Sequence, residues 1–260
     1  MNDPAWLVLP TYDEAENLDA IVRAALRSLA AASPEGHGVL VVDDNSPDGT
    51  GEIADALAAE LDPVRVLHRP VKQGLGAAYL AGFAEVLSLG AGYVIEMDAD
   101  FSHDPADLPR LLAEARAGAD LVLGSRYVDG GAVAGWTWPR RLISRAGSAY
   151  ARAMLGLSVR DVTAGFKCFR RRTLELIDLP SVRSHGYAFQ VELTYRAVRA
   201  GLRVVEIPIA FHDRRAGTSK MSTRIALEAA LLVPAMRLRA PASAHVGGAG
   251  ATEGAAQAPR

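Results

Sequence analysis

The chain has 260 residues, of which 50 % are hydrophobic and 22 % charged, with a formal net charge of −2. That composition is ordinary for a soluble globular protein and excludes a strong whole-chain field that would gather nucleic acid or anionic lipid. Cys168 is the single cysteine, so an internal disulfide is excluded, and the usage fits a reducing compartment.

The first half alternates strand and helix patterns. Trp6 to Leu9 is a short apolar run, and Leu18, Ile21, Val22, Ala25, Leu26 and Leu29 then follow helical spacing behind Asp13, Glu14 and Glu16. Val39 to Val42 is a second strand, closed by the polar turn 43–49. Ile53, Leu57 and Leu61 mark a helix face, and Val64 to Leu67 a third strand. A helix is expected from about Gly76 to Leu89, a strand at 93–97, a helix through Leu108, Leu111 and Leu112, and a strand at Leu121 to Leu123. Strands separated by helices of this length predict right-handed crossovers and a mainly parallel sheet flanked by helices, an α/β fold.

Further along, 129–139 is glycine-rich and holds two of the three tryptophans, which reads either as a mobile loop with aromatic contacts near the lipid or sugar or as a packed surface loop. A helix through Leu142, Ile143, Tyr150, Met154 and Leu155 follows, then a helix from Phe189 to Ala200 and a final strand from Arg203 to Phe211. Cys168 sits on an expected strand as a small core residue. His185 and His212 read as structural histidines. The apolar helix 225–238 either packs on the domain, lies on a membrane surface, or binds a membrane-embedded partner. Residues 239–260, rich in Ala, Gly and Pro, read as a disordered tail. No stretch reaches the ~18 to 20 apolar residues that span a bilayer. The nearest, 225–236, contains Glu228 and Pro234, and no basic-plus-apolar leader opens the chain.

Ligands of such sheets sit beyond the carboxyl ends of the strands. Three expected strands end in unusual polar chemistry: Pro10-Thr11-Tyr12-Asp13-Glu14, Asp43-Asp44, and Asp98-Ala99-Asp100. In extended chain, residues two apart point the same way, so Asp98 and Asp100 can reach one point. Two hard carboxylates suit Mg²⁺ or Mn²⁺, and Mg²⁺ takes few protein carboxylates alongside substrate phosphates. The Gly74-Leu75-Gly76 segment lacks the third glycine of a dinucleotide loop, which Tyr79 replaces, and reads as a tight turn with close helix packing. No Gly-Lys-Ser/Thr exists, which excludes a Walker loop.

Four segments, Leu9 to Asn17, Val41 to Thr50, Met97 to His103 and Gly124 to Tyr127, resemble family 2 glycosyltransferases of the GT-A fold. Within that family the chain is most similar to dolichol- or polyprenol-phosphate mannose synthases, through Arg140 to Arg145, Asp161 to Phe166, Gly186 to Gln190 and Phe211 to Lys220. The resemblance implies that Pro10, Tyr12, Glu14, Val42 and Asp44 hold the nucleoside. It implies that Asp98 and Asp100 hold a metal bridging the donor diphosphate, with Ala99 beside the nucleotide. Ser102 stands where some relatives place a metal-contacting Gln. Arg126, Arg214 and Lys220 are implied to contact phosphates, and Arg140 and Ser144 to receive the acceptor phosphate.

The expected activity is therefore metal-dependent, inverting transfer of mannose from GDP-mannose to polyprenyl (dolichyl) phosphate. The expected setting is peripheral, on the cytoplasmic face of a membrane. A UDP-glucose:polyprenyl-phosphate glucosyltransferase and a noncatalytic nucleotide-sugar-binding protein are the alternatives. The expected catalytic set is Asp98, Asp100 and Arg126, in a domain spanning 5–224.

Overall fold

The computed structural model describes residues 3–184, 186–213 and 232–237. Its first half follows the expected alternation: β1 (Ala5–Thr11), α1 (Ala15–Ala32), β2 (His37–Asp43), α2 (Thr50–Glu60), β3 (Val64–His68), α3 (Leu75–Ser88), β4 (Tyr93–Glu96), α4 (Leu108–Arg116) and β5 (Leu121–Ser125). The second half adds β6 (Ala132–Val133), α5 (Trp138–Leu155), β7 (Lys167–Arg170), α6 (Arg171–Leu176), α7 (Gly186–Arg199), β8 (Val204–Pro208) and β9 (Ala210–Phe211).

Seven strands form one sheet in the order β3-β2-β1-β4-β7-β5-β8, and β6 pairs with β9 in a separate ribbon. All pairings are parallel except those of β7, which runs antiparallel between β4 and β5. The central strands are apolar on both faces because both are covered. Leu7 and Leu9 pack with Ile21, Leu29, Leu111 and Leu112 of α1 and α4, while the intervening Val8 packs with Tyr79, Phe83 and Val86 of α3. A period of two on a doubly covered sheet gives a continuous apolar run rather than an alternation. On α3, Gly82 lets the helix settle onto the sheet, since a methyl there would lie 2.4 Å from Val8 Cγ1.

The fold corrects two expectations, at 203–211 and at the end of β4, and takes the packed reading of 129–139. The strand expected over 203–211 is two strands in two sheets, because Ile209 leaves β8 to start the ribbon. The 129–139 loop is pinned by that ribbon, and Trp136 is buried 5.2 Å from the Phe211 ring. The strand leading to the aspartate pair ends at Glu96, so Asp98 and Asp100 lie beyond it, with Asp100 in the bend that follows. Phe101 there has a φ of 59°.

Cys168 is buried on β7 as expected, and burial pushes its thiol up to about 12. Of the helix expected over 225–238, residues 232–237 are described and are helical. Val233 and Met236 are buried in the same core as Leu155, and Arg237 donates to the Met154 carbonyl at 3.0 Å. This part of the segment packs on the domain. Residues 239–260 lie outside the described residues. No helix among the described residues is long and apolar enough to cross a membrane.

Candidate active site

The carboxyl ends of β2, β1 and β4 lie side by side, with Thr11 level with Asp43. The three acidic segments therefore share one edge, as expected. The loop after β1 is tied to the loop after β2: Glu14 N donates to Thr50 Oγ1 at 3.0 Å and Ala15 N to Asp48 Oδ2 at 3.1 Å. Burial pushes the Asp48 carboxyl up, but the Thr50 hydroxyl and the main-chain donors hold it below its ordinary value.

The residues expected around a nucleoside divide into two kinds. Tyr12 is partly exposed, with Lys72 Nζ 3.3 Å above its ring, and Glu14 accepts from Asn17 Nδ2 at 3.0 Å. Pro10 and Val42 are buried, and the Val42 side chain belongs to the core against α3. Asp44 is buried and organises a loop. Its Oδ1 accepts from Arg69 Nη1 at 2.5 Å, and its Oδ2 accepts from Gln73 N at 3.0 Å and Gly74 N at 2.9 Å. Gly74 has a φ of 91°, which brings its N–H to Asp44, and a methyl on Gly76 would lie 3.1 Å from Phe189. The glycine pair thus makes the tight turn and close packing that its spacing suggested.

At the aspartate pair, Asp98 Oδ1 lies 3.5 Å from the Tyr79 hydroxyl, and Asp100 Oδ1 accepts from Ser102 N at 3.0 Å. Tyr79 is fully buried, and burial beside three carboxylates raises its hydroxyl well above the ordinary tyrosine range. Ala99 is buried between the two aspartates. Ser102 is buried, and its Oγ has no hydrogen-bond partner among the described residues. No three His, Cys, Asp or Glu side chains cluster as a metal site among those residues. The oxygen donors are two carboxylates and one hydroxyl, a hard and incomplete set that fits Mg²⁺ or Mn²⁺ completed by phosphate and water.

Behind the pair, Lys167 Nζ is 3.1 Å from Glu96 Oε1, and both side chains are fully buried. Burial pushes the Glu96 carboxyl up to about 7 against the pull of the Lys167 ammonium and the Gln190 amide.

Arg126 is oriented by Asp161. Its Nε and Nη2 donate to the two carboxylate oxygens at 2.7 Å each, its main-chain N donates at 3.0 Å, and Nη2 also reaches Thr163 Oγ1 at 2.8 Å. Burial pushes the Asp161 carboxyl up, but Arg126 outweighs it and holds the group below its ordinary value.

Arg140 and Ser144 share α5. Arg140 Nη1 donates to Asp213 Oδ1 at 3.1 Å and its guanidinium lies 4.2 Å over the Trp136 ring. The Tyr127 hydroxyl donates to Ser144 Oγ at 2.7 Å. Arg214, Lys220 and His185 lie outside the described residues. His212 contributes its main-chain N–H to the Ser102 carbonyl at 3.0 Å.

Sequence reasoning gave no role to Asp161, Tyr79, Lys167 or Gln190. Asp161 and Gln190 lay in quoted motifs, whereas Tyr79 occupied a core-facing helical position that gave no sign of its hydroxyl.

His103 is buried between Phe166 and Phe211, with ring centroids 5.1 and 5.2 Å away. Burial lowers its imidazole to about 4, against the attraction of Asp100. The folded value lies below the unfolded one of about 6.5, so the neutral ring's contribution is fully present above pH 6.5 and is lost as pH falls toward 4. Urea unfolding at pH 7 and pH 4.5 is expected to differ by about 2 kcal/mol from this group. His103→Gln should remove that part of the slope, and a slope unchanged by the substitution would sink the assignment.

The chain is 52 % identical over 217 residues to the polyprenol monophosphomannose synthase of Mycolicibacterium smegmatis, covering 83 % of this chain and 80 % of that one. It is 52 % identical over 226 residues to the undecaprenyl-phosphate mannosyltransferase of Micrococcus luteus, covering 87 % and 90 %. A crystal structure of glucosyl-3-phosphoglycerate synthase from Mycobacterium tuberculosis, in complex with Mn²⁺, uridine diphosphate and phosphoglyceric acid, superposes with a TM-score of 0.65 at 21 % identity. That superposition covers 93 % of this chain and 80 % of that one, which places the two in the same GT-A-like fold. Residues 6–177 match the model of glycosyl transferase family 2, and the chain belongs to that family.

Proposed function

We propose that this glycosyltransferase moves mannose, with inversion, from GDP-mannose to a polyprenyl phosphate at a membrane surface, through a domain spanning 5–224. The observation that carries the acceptor is on α5. Arg140 and Ser144 lie one turn apart, and beside them Trp138, Leu142 and Ile143 are 75 %, 59 % and 62 % exposed. A phosphate-binding pair next to an uncovered apolar strip suits a phosphate with a lipid tail. The same helix carries Arg140, Arg141, Arg145 and Arg152 and no acidic residue, which favours an anionic surface. The two relatives above, both named for polyprenyl-type mannosyl transfer, support the same reading.

In this mechanism Asp98 and Asp100, with the Ser102 hydroxyl, hold Mg²⁺ or Mn²⁺, which when bound neutralises charge on the departing diphosphate. Tyr12, Glu14 and Asp44 hold the nucleoside, with Pro10 and Val42 shaping its floor. Arg126 keeps its place beside the diphosphate, its guanidinium plane set by Asp161. Arg140 exchanges Asp213 for the acceptor phosphate, whose oxygens fit its fork. Ser144 accepts from Tyr127 and so directs its own proton at that phosphate. The acceptor is its own nucleophile: with a second pKa of about 6 it is largely ionised at neutral pH and needs orientation more than a general base.

Purified protein assayed with GDP-mannose and UDP-glucose against polyprenyl phosphate tests the reading; preferred transfer from UDP-glucose would replace it with the glucosyl alternative. Arg140→Ala is expected to raise the KM for polyprenyl phosphate and lower kcat while leaving GDP affinity unchanged. Arg140→Lys should rescue only partly, because it keeps charge but loses the fork. Weakened GDP binding with intact acceptor kinetics would move Arg140 to the donor site.

A further inference from the structure

Two sequence motifs, 161–166 and 186–190, meet beneath the aspartate pair. Glu96 and Lys167 are directly opposite in the antiparallel pairing of β4 and β7. Lys167 Nζ donates to the main-chain oxygen of Gln190 at 3.2 Å and also to its side-chain Oε1. An ammonium group only donates, so the amide oxygen of Gln190 is turned to Lys167 and its nitrogen is turned away. Gln190 is 3 % exposed, and its Nε2 has no hydrogen-bond partner among the described residues. The amide lies near Glu96, which can take one of its two hydrogens.

Gly165 defines what the other hydrogen faces. A methyl built there would lie 3.7 Å from Gln190 Nε2, 3.7 Å from Asp98 Oδ2 and 3.9 Å from His103 Cε1. Gly165 therefore borders both an amide donor and a carboxylate acceptor and places no side chain against either. Both Gly165 and Asp98 are partly exposed. A phosphate oxygen there would only accept and would meet the Asp98 carboxylate. A hydroxyl accepts from the amide and donates to the carboxylate at once.

We infer that Gln190 is a specificity-determining residue that reads one hydroxyl of the transferred sugar beside Gly165, with Lys167 and Glu96 holding its amide in that orientation. This rests on the reading of the chain as a sugar transferase with its donor at Asp98.

Two variants test it, each with its thermal unfolding measured alongside. In Gly165→Ala the methyl meets its neighbours at ordinary contact distance, so the melting temperature should not change. The methyl crowds a hydroxyl approaching the Gln190 amide, and kcat/KM for the donor should fall roughly ten- to a hundredfold. Gln190→Met keeps the shape without the donor and should lose a similar factor. A series of monodeoxy nucleotide sugars, built on whichever sugar the wild type transfers, then identifies the contact. One analogue should be poor with wild type yet carry no further penalty in Gln190→Met. Additive penalties at every position, full activity of Gly165→Ala, or a defect confined to the KM for polyprenyl phosphate would each overturn the assignment. Failure of the wild type to use GDP-mannose would instead overturn the choice of donor, and the deoxy series on the sugar it does use would still judge Gln190.

Discussion

Asp98→Asn and Asp100→Asn are each expected to lower kcat by a hundred- to a thousandfold, on the order of the loss when one preorganised stabiliser of transition-state charge is removed. On the proposed mechanism the leaving diphosphate gains negative charge, and Asp98 and Asp100 would hold a divalent cation that offsets it. The fold should survive. Asparagine keeps an Oδ1 that can still accept from Ser102 N, and Asp98 is partly exposed. Steady-state rates, with and without chelator, and thermal unfolding of the same samples separate the two effects. Chelator should reproduce the loss in wild type, and added Mg²⁺ or Mn²⁺ should restore activity. Full activity in excess chelator would end the metal-dependent mechanism.

The largest effect on stability is expected at Asp161. It is fully buried and accepts from the Arg126 main chain, from both arms of its guanidinium and from Thr163 Oγ1 at 3.2 Å. Asp161→Ala leaves the buried Arg126 charge uncompensated, a change that typically costs about 3–5 kcal/mol. Arg126→Met combined with Asp161→Leu should recover much of that loss, since the cost is an orphaned charge rather than a missing attraction. Because the Asp161 carboxyl is held below its unfolded value, its stabilisation is present above about pH 4 and fades as pH falls through the lowered value. Urea unfolding midpoints of the wild type, single and double variants measure this. A loss under 1 kcal/mol in Asp161→Ala would show that the pair is not what holds this corner.

What the sequence determined by itself was local. Helical spacing at Leu18, Ile21, Val22, Ala25 and Leu29 and the apolar runs at 6–9, 39–42 and 121–123 identified elements, because periodicity is a property of neighbours along the chain. The polar residues that end β1, β2 and β4 were legible for the same reason, and parallel pairing carried them to one edge. Tertiary structure decided what depends on register between distant segments. Neither the antiparallel insertion of β7 between β4 and β5 nor the division of 203–211 between two sheets has a signature in spacing. The partners of Arg126 and Gln190 are likewise distant, with Asp161 35 positions from the one and Lys167 23 from the other. The α5 helix shows both levels: its pattern announced a helix, but only packing showed that Ser148, Ala151 and Leu155 face the core while Trp138, Leu142 and Ile143 stay uncovered. Burial is a sum over contacts from the whole fold, and no stretch of sequence holds that sum alone.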